Sequence, residues 1–166
     1  MTSTLPLTWV PPAEQEQLQL GFPLGRRSVD APRVGEVRRL ATEWAAARQI
    51  ASDLVDDLAL VLSELVSNAI LHSGGQSIVV ELVRRDGYIR VGVFDGTEKR
   101  PCLRPPASDS ENGRGLYLVE WIARDRGGGW GVSPDGMTTW CCLPLAVGAL
   151  VPGEQAFCPQ LPGAQR

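Results

Sequence analysis

Two strand-like runs joined by Asp-Gly set the first limit on how this chain can fold. SIVVELVRR (77–85) and YIRVGVFD (88–95) flank Asp86-Gly87. Asp-Gly between two such runs is a strong short-range signal for a β-hairpin, because the tight turn that joins them needs positive φ at its central residues. In the second run Ile89, Val91, Val93 and Asp95 share one face by the two-residue strand period. A carboxylate therefore closes a row of apolar side chains, where an unpaired charge would be costly.

Helical patterns precede the hairpin. From Pro32, PRVGEVRRLATEWAAARQ places Val34, Val37, Leu40, Trp44 and Ala47 on one helical face. A second helix is expected from Ser52 as N-cap, with Asp53 in its first turn, carrying Leu54, Leu58, Val61, Leu62, Leu65 and Ala69 as its apolar stripe. Gly74-Gly75 is the expected stop. After the hairpin, GTEKRPCLRPPASDSEN (96–112) has loop character. Gly113 and Gly115 then open a third helix bearing Leu116, Val119, Ile122 and Ala123. GGWGVS and MTTWCCLPL, turned by Pro134-Asp135-Gly136, complete the pattern as a second strand pair.

The order helix, helix, strand, strand, loop, helix, strand, strand predicts an α+β fold, a two-layer α/β sandwich with helices on one face of a mixed, mainly antiparallel sheet. A doubly wound nucleotide fold does not fit, since strict strand–helix alternation is missing. The length of 166 residues suits one domain. We expect residues 1–22 to form a flexible N-terminal arm, 23–145 the folded domain and 146–166 a Pro/Gly-rich C-terminal tail.

Charge and cysteines narrow the function. A net charge of −3 gives no general attraction to nucleic acid or to an anionic membrane. No run approaches a membrane span, and the N-terminus lacks the layout of a signal peptide. Cys102, Cys141, Cys142 and Cys158 lack the spacing of a zinc site. Reduced thiols in a cytoplasmic protein are the expectation, with adjacent Cys141 and Cys142 pointing to opposite faces of a strand.

Glu64, Asn68 and His72 recur every four residues along the second helix, so they share a face. His72 falls at the helix end, where the dipole favours a cation without further role. The glycine-opened third helix offers free N–H groups and a positive dipole end suited to phosphate, but GRG before a helix is a weak signal by itself.

The combination is more specific. ELVSNAILH (64–72), VFDGT (93–97), ENGRGLYLV (111–119), WGV (130–132) and GMTTW (136–140) occur in an order that resembles the GHKL group of ATP-binding domains with the Bergerat fold. More narrowly, the chain resembles the small RsbW-like anti-sigma factor serine/threonine kinases in their actinobacterial form, over roughly residues 30–145.

The resemblance implies ATP and Mg²⁺ as ligands. Glu64 would be the general base that draws a proton from a serine or threonine hydroxyl, and Asn68 would ligate Mg²⁺. Asp95 would accept a hydrogen bond from the adenine amino group, with Gly96 and Thr97 beside it and Thr138 in support. Gly113, Arg114 and Gly115, followed by Leu116, would cradle the phosphates, under a lid formed by residues 97–112. The implied partners are a sigma factor and a STAS-domain anti-anti-sigma protein, with no direct nucleic-acid or membrane contact and homodimerisation common among relatives. The chain departs from the group's DxGxG pattern, reading Asp95-Gly96-Thr97-Glu98-Lys99. That departure keeps a second expectation open, a non-catalytic, nucleotide-dependent protein-binding switch.

Overall fold

The computed structural model describes residues 16–25, 27–74, 77–97 and 114–146. Five strands, β1 (Glu16–Pro23), β2 (Ser77–Arg85), β3 (Tyr88–Phe94), β4 (Gly129–Val132) and β5 (Thr138–Pro144), form one sheet in the order β1-β2-β3-β5-β4. All four pairings are antiparallel, so the mixed character expected of the sheet is absent among the described residues. Helices α1 (Arg27–Ala46), α2 (Ser52–His72) and α3 (Gly115–Asp125) cover one face. The α+β two-layer sandwich is thus the observed architecture.

The Asp86-Gly87 turn joins β2 to β3 with φ of 50° and 86°, the positive values that the two-residue hairpin requires. It sets the register that turns Ile78, Val80 and Leu82 of β2 and Ile89, Val91 and Val93 of β3 toward the helices. From the other layer Leu54, Leu58, Val61, Leu62 and Leu65 of α2 meet them, each at most 1% exposed. Burying one such leucine contributes about 1.5–3 kcal/mol relative to leaving it in water.

Local expectations needed four corrections. The supposed arm carries β1 over Glu16–Pro23 at the sheet edge, where Leu18 and Leu20 turn inward and Gln17 and Gln19 outward. An edge strand with one wet face tolerates that polar composition. Ser52 is the first helical residue and Ala51 is the N-cap, without a side-chain hydrogen bond. The helix ends at Ser73 in extended backbone, its N–H donating to Ala69 O, so no left-handed glycine terminates it. On α1 the buried face is Val37, Ala41, Trp44 and Ala45, while Ala47 lies beyond the helix and exposed.

Candidate functional site

The candidate residues are strung along α2. Glu64 and Asn68 are half-buried and one turn apart, on the flank between the buried stripe and solvent. His72 is exposed and is the basic residue of the last turn, as its position predicted.

Glu64 meets the start of α3. A Cβ built at Gly115, the first residue of that helix, would overlap Oε2 of Glu64 and stand 3.3 Å from its Cδ. With glycine at 115 the first turn of α3, with its free N–H groups, lies against the Glu64 carboxylate, which a side chain there would push aside. Arg114 is the exposed N-cap, whereas Leu116 is 8% exposed and packs into the core. Gly113 and most of the expected lid lie outside the described residues.

Farther along α2, Ser73 Oγ donates to Asp95 O at 3.0 Å and ties the helix end to the end of β3. The ladder runs one residue past the strand, since Asp95 N–H donates to Met137 O at 3.1 Å. Asp95 is half-buried, and its Oδ1 accepts the Thr97 N–H at 2.9 Å across Gly96, which has φ of 68°. The partner that a carboxylate in this place calls for is therefore supplied by a local backbone turn. From Glu64 to Ser73 the helix rises about 13 Å at 1.5 Å per residue.

Thr138 does not join this group. It pairs with Phe94, and its Cγ2 lies 3.5 Å from a Cβ built at Gly92, on the sheet face away from the helices. The neighbouring Thr139 pairs with Val93, a residue of the helix-side core, so Thr139 is the threonine on the helix side. Strand parity with Cys141 and Leu143, both in that core, was the signal available in the sequence. The 133–138 turn before β5 is self-supporting: Ser133 Oγ accepts Thr138 N–H at 2.9 Å, and Asp135 Oδ1 accepts Met137 N–H at 2.9 Å. Hydrogen bonds from the Ser133 hydroxyl and the Met137 N–H hold the Asp135 carboxyl below its ordinary range.

Sequence reading missed the other end of the α2–α3 seam. Arg126, its side chain 12% exposed, donates from Nε to Asp57 and from Nη2 to Asp53 at 2.9 Å. Burial opposes the guanidinium charge, but the two carboxylates outweigh it and raise its affinity for the proton. In return Arg126 holds the Asp53 carboxyl below its ordinary value. The acids at 53 and 57 are a helical repeat that, read with α3, was the available sign.

The chemistry of these residues fits a nucleoside triphosphate. No cluster of three His, Cys, Asp or Glu side chains exists among the described residues. Asn68 offers one neutral oxygen, which suits Mg²⁺ that keeps its other ligands from phosphate and water. The close approach at Gly115 suits phosphate at a helix start.

The profile of the histidine kinase-like ATPase domain matches residues 28–140 of this chain. No curated protein matches it. The matched span takes in all three helices' packing faces and β2 to β4, and it omits β1.

Proposed function

The chain belongs to the histidine kinase-like ATPase domain family, and on that premise we propose that it is an ATP-binding regulatory protein with serine/threonine kinase activity. In this reading it is an RsbW-like anti-sigma factor that phosphorylates a STAS-domain anti-anti-sigma protein and sequesters a sigma factor. The observation that carries it is the contact of Glu64 with Gly115, one turn from Asn68 and at the far end of the α2 stripe from Asp95. A nucleotide lying along the stripe would put adenine at Asp95 and phosphates at the start of α3.

Each residue then has one task. Glu64 accepts the proton of an incoming hydroxyl, whose oxygen attacks the terminal phosphoryl group as ADP leaves. Asn68 would hold a Mg²⁺ ion, which when bound would offset phosphate charge. The first-turn N–H groups of α3 hold the phosphates, and the Asp95 carboxylate keeps an oxygen for the adenine amino group.

Transfer of labelled phosphate from ATP to a STAS-domain protein tests this. Glu64→Ala should lower the transfer rate by about 10²-fold or more, the usual worth of a general base, while nucleotide affinity is retained. Equal transfer by the variant would sink the role of Glu64. A second reading, a non-catalytic switch, draws support from the Asp95–Thr97 turn, in which Thr97 stands at the first glycine of the group's DxGxG pattern. ATP-dependent release of the partner without ADP production would favour it.

A further inference from the structure

The large apolar side chains that are exposed among the described residues are Leu60 at 47%, Tyr117 at 36% and Trp121 at 63%, and they all belong to α2 and α3. Single exposed apolar residues are ordinary on a protein surface, whereas a group of them marks a contact. The seam between the two helices makes these a group. Gly115, which starts α3, meets Glu64 of α2, and Arg126, just past the end of α3, meets Asp57. The helices therefore run antiparallel. Leu60 stands between Asp57 and Glu64, about level with Trp121, which stands between Arg126 and Gly115. Tyr117 is one turn from Trp121 on the same face of α3.

Acids border this apolar strip. α2 carries Asp53, Asp56, Asp57 and Glu64 and has no lysine or arginine. Arg126 is taken by Asp53 and Asp57, and Arg124 pairs with Glu120 at 3.5 Å. Asp56, one turn before Leu60, and Asp125, one turn after Trp121, are exposed and have no cation among the described residues. Because the helices are antiparallel, both acids lie at the end of the strip away from Glu64.

We propose that this strip docks the protein whose hydroxyl Glu64 receives, through an apolar contact on Leu60 and Trp121 and a lysine- or arginine-bearing edge on Asp56 and Asp125. The inference rests on the kinase reading above and names the surface that serves it. Leu60 is one turn from Glu64, about 6 Å along α2, and thirteen residues from Ser73, about 20 Å. A partner seated on the strip thus reaches the general base and leaves the Asp95 end of α2 open for the nucleotide. Tryptophan and tyrosine are favoured anchors of protein contacts, and charges at the rim select and steer the partner.

The test separates docking from transfer. Binding of the STAS-domain acceptor to the full chain is measured by calorimetry with Mg²⁺ and a non-hydrolysable ATP analogue, and phosphate transfer is measured with ATP. Trp121→Ala should weaken binding by about tenfold or more and raise KM for the acceptor in step, with kcat and KM for ATP unchanged. Asp56→Lys should weaken binding severalfold at low salt, and the difference should shrink as salt rises. Equal binding by Asp56→Lys at low salt overturns the basic edge that defines the partner. Trp121-dependent binding without transfer keeps the docking surface and removes the kinase reading. Transfer with an unchanged acceptor KM in Trp121→Ala keeps the kinase reading and overturns the docking surface. So does an acceptor that does not bind, or self-association that Trp121→Ala abolishes, which gives the strip to a second copy. If Trp121→Ala shifts the urea midpoint, Leu60→Glu decides. Binding weakened to the same degree supports the surface, and unchanged binding overturns it.

Discussion

At one end of the α2–α3 seam, Arg126 takes two carboxylates, Asp57 and Asp53. At the other end, the carboxylate of Glu64 packs against the glycine that starts α3. The first end is arranged for mutual satisfaction of charge, with the guanidinium sunk between the helices. The second presses an acid against a backbone whose free N–H groups suit an anion from outside. A seam whose two ends served stability alone would not need that crowding. Local rules are broken where a site is expected and kept where the scaffold is held.

Substitutions can break this contrast. The largest effect is expected from Arg126→Ala, which leaves Asp57 half-buried without its cation. We expect a loss of about 2–3 kcal/mol, the range for charged hydrogen bonds and broken pairs of low exposure, read by urea denaturation. A loss under about 0.5 kcal/mol would make the clamp an ordinary surface pair.

Next is Gly115→Ala, whose new methyl overlaps the Glu64 carboxylate. Because the overlapped atom is the tip of a half-exposed, flexible side chain, the carboxylate should swing aside at a cost under about 1 kcal/mol, below that of overpacking a closed core. Combining it with Glu64→Ala should recover that cost, a coupling that a double-mutant cycle measures. Additive effects would mean that the two residues do not meet.

The smallest effect belongs to Asp53→Asn, because Asp53 is exposed, and it sharpens the comparison by its pH dependence. The Arg126 hydrogen bond holds the folded-state value of Asp53 below the ordinary one. Its stabilising contribution is therefore complete above the ordinary carboxylate value and disappears as pH falls through the lowered one. The stabilities of wild type and variant should converge in acid. A gap that persists there would assign the effect to packing.

Much of this molecule was legible in its residues. The Asp86-Gly87 hairpin, the apolar stripe of α2 and the opposite facing of Cys141 and Cys142 follow from local periods, and each is present. Their signals are short-range: positive φ in a turn, and repeats of two and of about four residues. β1 was missed because EQLQLGFP has too few apolar residues to stand out from proline-rich surroundings. Pairing with β2 along its whole length makes it a strand. The α2 caps were misplaced because one serine and two glycines near a helix end do not specify which of them the backbone uses.

Sequence by itself determined the layer arrangement, the apolar stripe of α2 with Glu64 and Asn68 on its flank, and the glycine at the start of α3. Periodicity and turn chemistry act between near neighbours, so they are written locally. Tertiary structure decided that Gly115 meets Glu64, that Arg126 bridges Asp53 and Asp57, and that Thr138, expected to support adenine, lies on the sheet face away from the helices. Contacts between residues far apart in the chain depend on register and on how helices pack. A one-residue difference in strand parity is enough to move a side chain to the other face of the sheet.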